Sequence, residues 1–220
     1  LRPEMAGSGF QDVDVVLTTR ELGRMLKQAG VDALHVSVGN YATPGGLITA
    51  PMDVERGFLV PLVAEIKRVV SVPVIAVDRL HDPLLAEQVL AQGEADLIAI
   101  GRGLLTDPDL PEKARRGALD EILPCIACNQ ACIAPLMRQQ PVSCLLNPRC
   151  GRERELAVVK ANRPRRVTVV GGGPAGLEAA RVLAERGHAV HLLERESRLG
   201  GEFLTAAIPP RKEEIADALR

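Results

Sequence analysis

In the first half of the chain, segments whose apolar residues recur with the period of a helix alternate with short apolar runs typical of strands. Residues 12–29 carry apolar side chains near helical spacing, and Gly30 follows where such a helix would end. A second helix is predicted over residues 58–70. A third is predicted from Asp82–Pro83 to near Gly93, because aspartate followed by proline is typical of a helix start.

Short apolar runs between these helices predict strands. The runs are ALHVSVGN (33–40), PVIAVD (73–78) and DLIAIG (96–101). Strands that alternate with helices over short connections indicate parallel β/α units. Their near-continuous apolar character predicts burial on both faces of the sheet. A shorter helical stretch is predicted between residues 102 and 124.

A second β/α system follows a polar linker over residues 152–166. It consists of a strand, Val167–Val170, a glycine-rich turn, a helix over 174–186 and a second strand that ends at Glu194. The last segment, from Pro209 to Arg220, stops inside a predicted helix, and the first residue is not a methionine. We therefore expect the chain to be part of a longer protein.

The composition of the chain bears on whether it binds nucleic acid, a membrane or small molecules. A formal net charge of −1 over 220 residues gives no electrostatic reason to expect nucleic acid or a membrane surface. No apolar run approaches the roughly 20 residues of a membrane span, and no basic, then apolar leader precedes the first helix. We expect a soluble, cytoplasmic protein that acts on small molecules.

Four of the five cysteines have the spacing Cys-x2-Cys-x3-Cys-x11-Cys and are Cys125, Cys128, Cys132 and Cys144. In a reducing compartment such a group indicates a metal site rather than disulfides. Structural zinc usually takes two separated pairs of ligands, whereas three clustered thiolates and a remote fourth are typical of a 4Fe-4S cluster. The spacing favours the cluster and leaves zinc and redox thiols open; Cys150 is expected to be a buried small apolar residue.

A phosphate site is predicted where two consecutive strands end. Asp78–Arg79 follows one strand and Gly101–Arg102–Gly103 follows the next. In a β/α barrel the loops after the last two strands often bind phosphate. Glycine admits backbone N–H groups to the anion and arginine supplies a bidentate charge. The alternative is that both arginines are solvated surface residues.

The second β/α system carries a dinucleotide fingerprint. Gly171-x-Gly173-x-x-Gly176 follows a strand and opens a helix, the context that makes a glycine pattern specific. These glycines permit a tight turn and bring the pyrophosphate close to the helix N-terminus. Glu194 ends the second strand, where it can accept a hydrogen bond from a ribose 2′-hydroxyl. This favours FAD or NAD over NADP as the dinucleotide in this segment.

With these motifs, the chain resembles the NADH:flavin oxidoreductases related to old yellow enzyme. The likeness is to the long, cluster-containing branch that includes bacterial 2,4-dienoyl-CoA reductase and trimethylamine dehydrogenase. It extends over essentially the whole chain. The stretches that carry it most specifically are PVIAVDRLHDPLLAEQVLAQGEADLIAIGRGLLTDPDLPEKA, CIACNQACIAPL, SCLLNPRCGRE and VVGGGPAGLEAARVLAERGH.

The resemblance implies an α/β architecture in three parts. These are the C-terminal part of an FMN-binding TIM (β/α)8 barrel over 1–120, a cysteine-rich 4Fe-4S segment and linker over 121–164, and the start of a Rossmann-like FAD/NAD(P)-binding domain over 165–220. It assigns the four cysteines to a 4Fe-4S cluster, and Arg79, Gly101 and Arg102 to the FMN phosphate. The residues it assigns to FAD are Gly171, Gly173, Ala175, Gly176, Glu194, Gly201 and Glu202.

The resemblance also places Tyr41 near the mouth of the barrel as a catalytic candidate. Dienoyl-CoA reductases have a histidine in roughly this loop, and this chain has none between His35 and His81. Asp78 stands where glycine is usual before the arginine, and Glu202 where glutamine commonly follows the glycine pair. The missing histidine leaves generic reductases and amine dehydrogenases open as models.

The implied function is that of an electron-transferring flavoenzyme. Electrons would pass from NAD(P)H through FAD and the cluster to FMN, and on to an enoate or enoyl-CoA double bond. The alternatives are an amine dehydrogenase that sends electrons from FMN to an external acceptor, and a non-enzymatic electron-transfer or zinc module. A homo-oligomer or an electron-transfer flavoprotein partner is compatible with the family. The 220-residue chain alone is expected to be inactive.

Overall fold

The first segment of the fold is a run of parallel β/α units, seen in a computed structural model that describes residues 13–39 and 44–219. A 3-10 helix that the sequence did not predict, Pro44–Thr49, follows the first strand. The regular elements are helix α1 (Val13–Gln28), strand β1 (Leu34–Val36), helix α2 (Val60–Lys67), strand β2 (Val74–Ala76), helix α3 (Pro83–Ala91) and strand β3 (Leu97–Ile98).

Strands β1, β2 and β3 form one parallel sheet in chain order. Leu34 pairs with Val74, and Ile75 pairs with Leu97. The carboxyl ends of the strands therefore lie at one edge of the sheet, where the residues after β2 and β3 leave it. The predicted parallel β/α units are confirmed, with strands shorter than the apolar runs.

The core of this segment lies between the sheet and helix α2. Leu59, Val63 and Val74 have no exposed surface, and α2 buries most of its apolar side chains against the sheet. Strand β3 lies at an edge of the described sheet, and its Leu97 is 52% exposed. The prediction that every strand is buried on both faces is therefore wrong for β3, and also for β1, whose His35 is exposed.

The predicted helical stretch over 102–124 is broken into short pieces. Helix α4 (Arg102–Thr106) and helix α5 (Leu110–Arg115) are separated at Pro108, and a 3-10 turn, Leu119–Glu121, follows. Gly117 lies between the last two pieces with φ +73°, a conformation that ends a helix. The segment therefore turns sharply and leads into the loop that begins at the first cysteine, Cys125.

Residues 122–164 contain little regular structure besides helix α6 (Ile133–Leu136). Backbone hydrogen bonds fold the cysteine loop back on itself: Ser143 N–H donates to Ala131 O at 2.8 Å, and Ala134 N–H donates to Asn129 O at 2.9 Å. These bonds bring the remote fourth cysteine, Cys144, next to the first three.

The second segment has the predicted order of strand, turn, helix and strand. Strands β4 (Arg166–Val170) and β5 (Ala189–Leu193) pair in parallel around helix α7 (Pro174–Glu185), and Val170 pairs with Leu193. Helix α8 (Glu202–Ala206) and helix α9 (Glu214–Asp217) follow. Val170 is 82% exposed and Leu193 46% exposed, so the apolar surface at the carboxyl ends of this sheet is largely uncovered. No helix in the described part of the chain is long and apolar enough to cross a membrane.

Candidate functional site

The four cysteines of the predicted ligand set line one cavity. The space between them that is free of protein atoms is about 330 Å³, counted with its opening to solvent. Apart from Arg102, Thr106 and Asn129, the lining is apolar. Its cysteines are Cys125, Cys128, Cys132 and Cys144. The fold thus brings together in space the four thiols that the spacing selected.

Three of the four sulfur atoms have a backbone N–H donor beside them. The Ala127 N–H lies 3.4 Å from the Cys125 sulfur. The Cys144 sulfur lies 3.5 Å from the Thr106 hydroxyl, which donates its proton to Arg102 O at 3.1 Å. The backbone N–H groups of Gln130 and Ile133 serve Cys128 and Cys132. Donors aimed at sulfur stabilise thiolates, the form in which cysteine binds iron or zinc.

Burial raises the pKa of the Cys128 and Cys132 thiols above the ordinary value. Metal binding therefore has to displace protons from these thiols. Among the described residues, no group of three or more His, Cys, Asp or Glu side chains is arranged to hold a single metal ion. Cys150 is 3% exposed, as expected for a small buried residue.

Asp107 anchors the chain just before the cysteine loop. Its carboxylate is 4% exposed and accepts hydrogen bonds from Lys113 Nζ at 2.6 Å, from the Leu123 N–H at 2.9 Å and from the Asp109 N–H at 3.1 Å. A buried carboxylate with three donors is well satisfied. Asp107 therefore ties the ends of α4 and α5 to the approach of Cys125.

A second cavity lies at the carboxyl ends of β2 and β3, where the phosphate site was predicted. It offers about 560 Å³ free of protein atoms, counted with its opening, and is lined by Thr49 and by the residues after the two strands. Gly101 and Arg102 belong to this lining. Arg102 lines the cysteine cavity as well, so the two cavities share a side chain.

Arg79 also lines the strand-end cavity, but its guanidinium is engaged elsewhere. The residue is 3% exposed; Nη1 donates to Pro51 O at 3.0 Å, and Nη2 donates to the Glu214 carboxylate. Asp78 and Arg79 both have positive φ, at 77° and 50°. Two consecutive non-glycine residues in this region are strained, and such strain is commonest at ligand sites.

Two further ionisable groups line the strand-end cavity. Burial raises the pKa of Asp78, and Arg102 opposes this rise. Burial, followed by the positive charge of Arg56, lowers the pKa of His81 from 6.5 to about 4. His81 is therefore neutral near pH 7, and its Nε2 is buried with no hydrogen-bond partner in the described part of the chain.

The glycine turn after β4 has the geometry that the fingerprint demands. Gly171 has φ +103°, and a Cβ added at Gly176 would lie 1.8 Å from Gly171 O. A Cβ at Gly201 would lie 3.0 Å from Gly173 Cα, so the second glycine pair packs on the first turn. Only glycine allows this close approach of backbone to backbone.

Glu194 closes the same turn. Its Oε2 accepts from the Gly172 N–H at 2.5 Å and its Oε1 from the Glu196 N–H at 2.9 Å. These two backbone donors, Glu196 first, lower the pKa of Glu194. Ala175 lies in the first turn of α7, and the exposed Glu202 begins α8 beside Gly201. The dinucleotide candidates thus surround one turn.

Not every predicted residue can be located, and some contributors carried no sequence signal. Tyr41 lies outside the described residues. Sequence reasoning missed Thr106, Asp107, Asn129 and Glu214, each of which contacts a predicted site residue or its loop. Regular spacing in the sequence reveals groups of identical ligands, such as the cysteines. A single polar residue that hydrogen-bonds to such a group forms no recognisable sequence pattern.

Two family models match different parts of the chain. Residues 8–121 match the NADH:flavin oxidoreductase / NADH oxidase family, and residues 169–217 match a NAD(P)-binding Rossmann-like domain. A cinnamate reductase of Clostridium sporogenes is 40% identical over 88% of the chain, which is 29% of that protein. The fold is thus α/β, a barrel-family segment followed by a Rossmann-like one, as predicted.

Two solved structures are also similar. A 2-naphthoyl-CoA reductase in complex with 2-naphthoyl-CoA has a TM-score of 0.86 and 31% identity over 90% of this chain and 30% of its own. A histamine dehydrogenase from Rhizobium sp. 4-9 has a TM-score of 0.81 and 29% identity over 90% of this chain and 29% of its own. The chain spans about 30% of the length of the relatives it matches.

Proposed function

Because the chain belongs to the NADH:flavin oxidoreductase / NADH oxidase family, we propose that its protein is a flavin- and iron–sulfur-dependent reductase. Electrons from NAD(P)H reach FAD, a 4Fe-4S cluster and FMN in turn, and finally an enoate- or enoyl-CoA-type double bond. One NAD(P)H and one proton are consumed for each double bond reduced. The protein supplies position and electrostatics, and the cofactors supply the redox chemistry.

One observation carries this proposal: the cavity lined by the four cysteines and the strand-end cavity share Arg102. A cluster held by the cysteines would lie directly beside an FMN phosphate held at the strand ends. Flavins exchange one or two electrons, so a one-electron carrier between two flavins can relay the pair from a hydride. The order of the sites along the chain supports the same relay.

The donor set of the cysteine cavity fits a cluster. Its lining is largely apolar, three of the four sulfurs have a backbone N–H donor, and the three-plus-one spacing is typical of 4Fe-4S sites. A cluster presents separate iron atoms to separate thiolates, whereas zinc requires four sulfurs about one ion. We therefore assign Cys125, Cys128, Cys132 and Cys144 to the cluster.

The strand-end cavity fits an anion such as the FMN phosphate. Gly101 provides an open backbone, since a Cβ there would meet nothing within 4 Å, and Arg102 provides charge. The Arg79 guanidinium is held by Pro51 and Glu214. We propose that Arg79 contributes through the backbone of its strained turn, and that Arg102 contributes through its side chain.

The glycine turn between β4 and α7 fits a dinucleotide. We propose that it binds the pyrophosphate of FAD, with Glu194 accepting from the ribose. Ala175, Gly201 and Glu202 line its approach. The boundaries that we propose for the three parts are 1–120, 121–164 and 165–220. Tyr41 stays a catalytic candidate at the barrel mouth.

The names of the relatives support an unsaturated carbonyl compound as substrate. A cinnamate reductase and a 2-naphthoyl-CoA reductase are both similar to this chain. Cinnamate has a carbon–carbon double bond next to a carboxylate, and 2-naphthoyl-CoA has an unsaturated ring next to a thioester. In both compounds the adjacent carbonyl group makes the unsaturated carbons able to accept a hydride.

An amine dehydrogenase is the second candidate, favoured by the likeness to histamine dehydrogenase. Electrons would then leave an amine at FMN and pass through the cluster to an external acceptor such as an electron-transfer flavoprotein. The two candidates differ in what reduces the flavin. Bleaching of the FMN absorbance by a methylamine, with no response to NADH, would decide for the dehydrogenase.

The test of the relay is substitution of one cysteine in the full-length protein, purified without oxygen. We expect Cys128→Ala to lower NADH-dependent reduction of cinnamate at least a hundredfold, while NADH still bleaches FAD in a single turnover. Cys150→Ala is the matched control, because Cys150 is buried but lies outside the ligand set. Unchanged turnover in Cys128→Ala would refute the relay.

A further inference from the structure

The side chain of Asn129 connects the cysteine loop to the strand-end cavity. Its Oδ1 accepts a hydrogen bond from Arg102 Nη1 at 2.7 Å, and its Nδ2 donates to Thr49 O at 2.7 Å. Both distances are short for such bonds, and both ends of the carboxamide are satisfied. Asn129 therefore joins three segments that are far apart in sequence.

The position of Asn129 is fixed by the cysteine loop itself. It follows Cys128 directly, and its carbonyl accepts from the Ala134 N–H at 2.9 Å. Its φ is +58°, a conformation that asparagine tolerates better than most residues. The local fold of the loop beside Cys128 thus sets the position of the Asn129 carboxamide.

The two partners of Asn129 face the strand-end cavity. Thr49 and Arg102 both line it, and Arg102 is the first residue of α4. With Nη1 held by Asn129, the Nε and Nη2 of Arg102 have no protein partner among the described residues. These two N–H donors form the parallel pair that a phosphate accepts.

We propose that Asn129 is a positioning residue that holds Arg102 for the flavin phosphate and so couples the order of the cysteine loop to flavin binding. This rests on the proposed function in placing the FMN phosphate at the strand ends. An arginine side chain has many rotamers, and fixing it beforehand reduces the entropy that binding must remove. Asn129 touches no flavin; it acts through Arg102.

The test is the affinity of the deflavinated full-length protein for two flavins, measured by quenching of flavin fluorescence. We expect Asn129→Ala to weaken FMN binding about tenfold, because a hydrogen bond to a charged group is lost. Binding of riboflavin, which lacks the phosphate, should change less than about twofold. A general loss of structure would weaken the binding of both flavins equally.

A double-mutant cycle with Arg102→Ala tests whether Asn129 affects FMN binding through Arg102. On that background, Asn129→Ala should have no further effect on FMN affinity, because its partner is gone. Asn147→Ala is the matched control. Asn147 braces the same loop through Leu105 O, at 3.0 Å, without contacting Arg102. We expect this control to retain wild-type FMN affinity.

Equal losses of FMN and riboflavin affinity in Asn129→Ala would overturn the proposal. Wild-type FMN affinity in Asn129→Ala would also overturn it. So would a further loss of FMN affinity when Asn129→Ala is added to Arg102→Ala. The test does not require iron or NADH. If the protein contained no iron, the proposed relay would be wrong, but the double-mutant cycle would still show whether Asn129 acts through Arg102. Conversely, a loaded and active Asn129→Ala enzyme with normal FMN affinity would defeat only this inference.

Discussion

At the scale of single residues, three arginines and a similar number of carboxylates lie at or beside the strand-end cavity. Arg56, Arg79 and Arg102 all lower the pKa of His81, after burial, to about 4, and Asp82 alone opposes them. Glu214 offsets part of this charge by pairing with Arg79 and Arg56. With its Nε and Nη2 unpaired among the described residues, Arg102 has its charge in place for the anion that we propose there.

His81 should make stability depend on pH in the absence of flavin. As pH falls below 6.5, His81 becomes protonated in the unfolded chain, whereas in the folded chain it stays neutral until about pH 4. The free energy of unfolding should therefore decrease over this window, by about 3 kcal/mol in total. Urea unfolding of the deflavinated protein at several pH values measures it.

The control for this prediction removes the histidine. His81→Asn should flatten the pH dependence between pH 6.5 and 4. An equal slope in wild type and His81→Asn would mean that other groups cause the loss of stability.

Residues that form a patterned set lie together as predicted, whereas lone supporting residues were not predicted. Four cysteines at fixed spacing selected one cavity, because thiolates close in sequence need little help to converge. Asn129 and Asp107 contact these sites through bonds that span 80 and 16 positions. Such bonds depend on how distant segments pack, and local sequence does not specify that packing.

At the scale of elements, the turn between β4 and α7 is the most constrained. Its glycines approach other backbone atoms so closely that a methyl group has no room at Gly176. Strand, turn and helix were predicted with nearly correct bounds, because apolar period and glycine spacing are local features. The break of the 102–124 stretch at Pro108 was missed, although Pro108 and Pro111 both lie within it.

Gly176→Ala should destabilise this element by about 3 kcal/mol or more, because the new Cβ would overlap Gly171 O at 1.8 Å. Dinucleotide binding should be lost with it. Gly173→Ala is the control: its Cβ would meet only Gly201 Cα at 4.0 Å, and its φ of −77° suits alanine. Equal unfolding midpoints for the two variants would contradict the steric argument.

At the scale of the whole molecule, helix α9 ties the Rossmann-like segment to the barrel-family segment. The Glu214 carboxylate pairs with Arg79, which is buried at the strand ends, and lies 3.3 Å from Arg56 Nε. Ile215 beside it is 8% exposed. No local pattern predicts this contact, because it joins residues 135 positions apart.

Glu214→Gln should loosen this attachment, since it leaves the buried Arg79 without its counter-charge. We expect trypsin to cut the linker over 152–164 several-fold faster in Glu214→Gln than in wild type. The neighbouring Glu213 is exposed and bonds only locally, to the Arg211 N–H at 3.2 Å, so Glu213→Gln should cleave at the wild-type rate. Matching rates for both variants would contradict the predicted docking role.

The central claim is that the four cysteines hold a 4Fe-4S cluster between two flavins. The most direct measurement is the metal, sulfide and flavin content of the full-length protein purified without oxygen. We predict four iron atoms, four sulfides, one FMN and one FAD for each chain, as the composition of the proposed relay. One zinc for each chain, with neither iron nor flavin, would contradict the account.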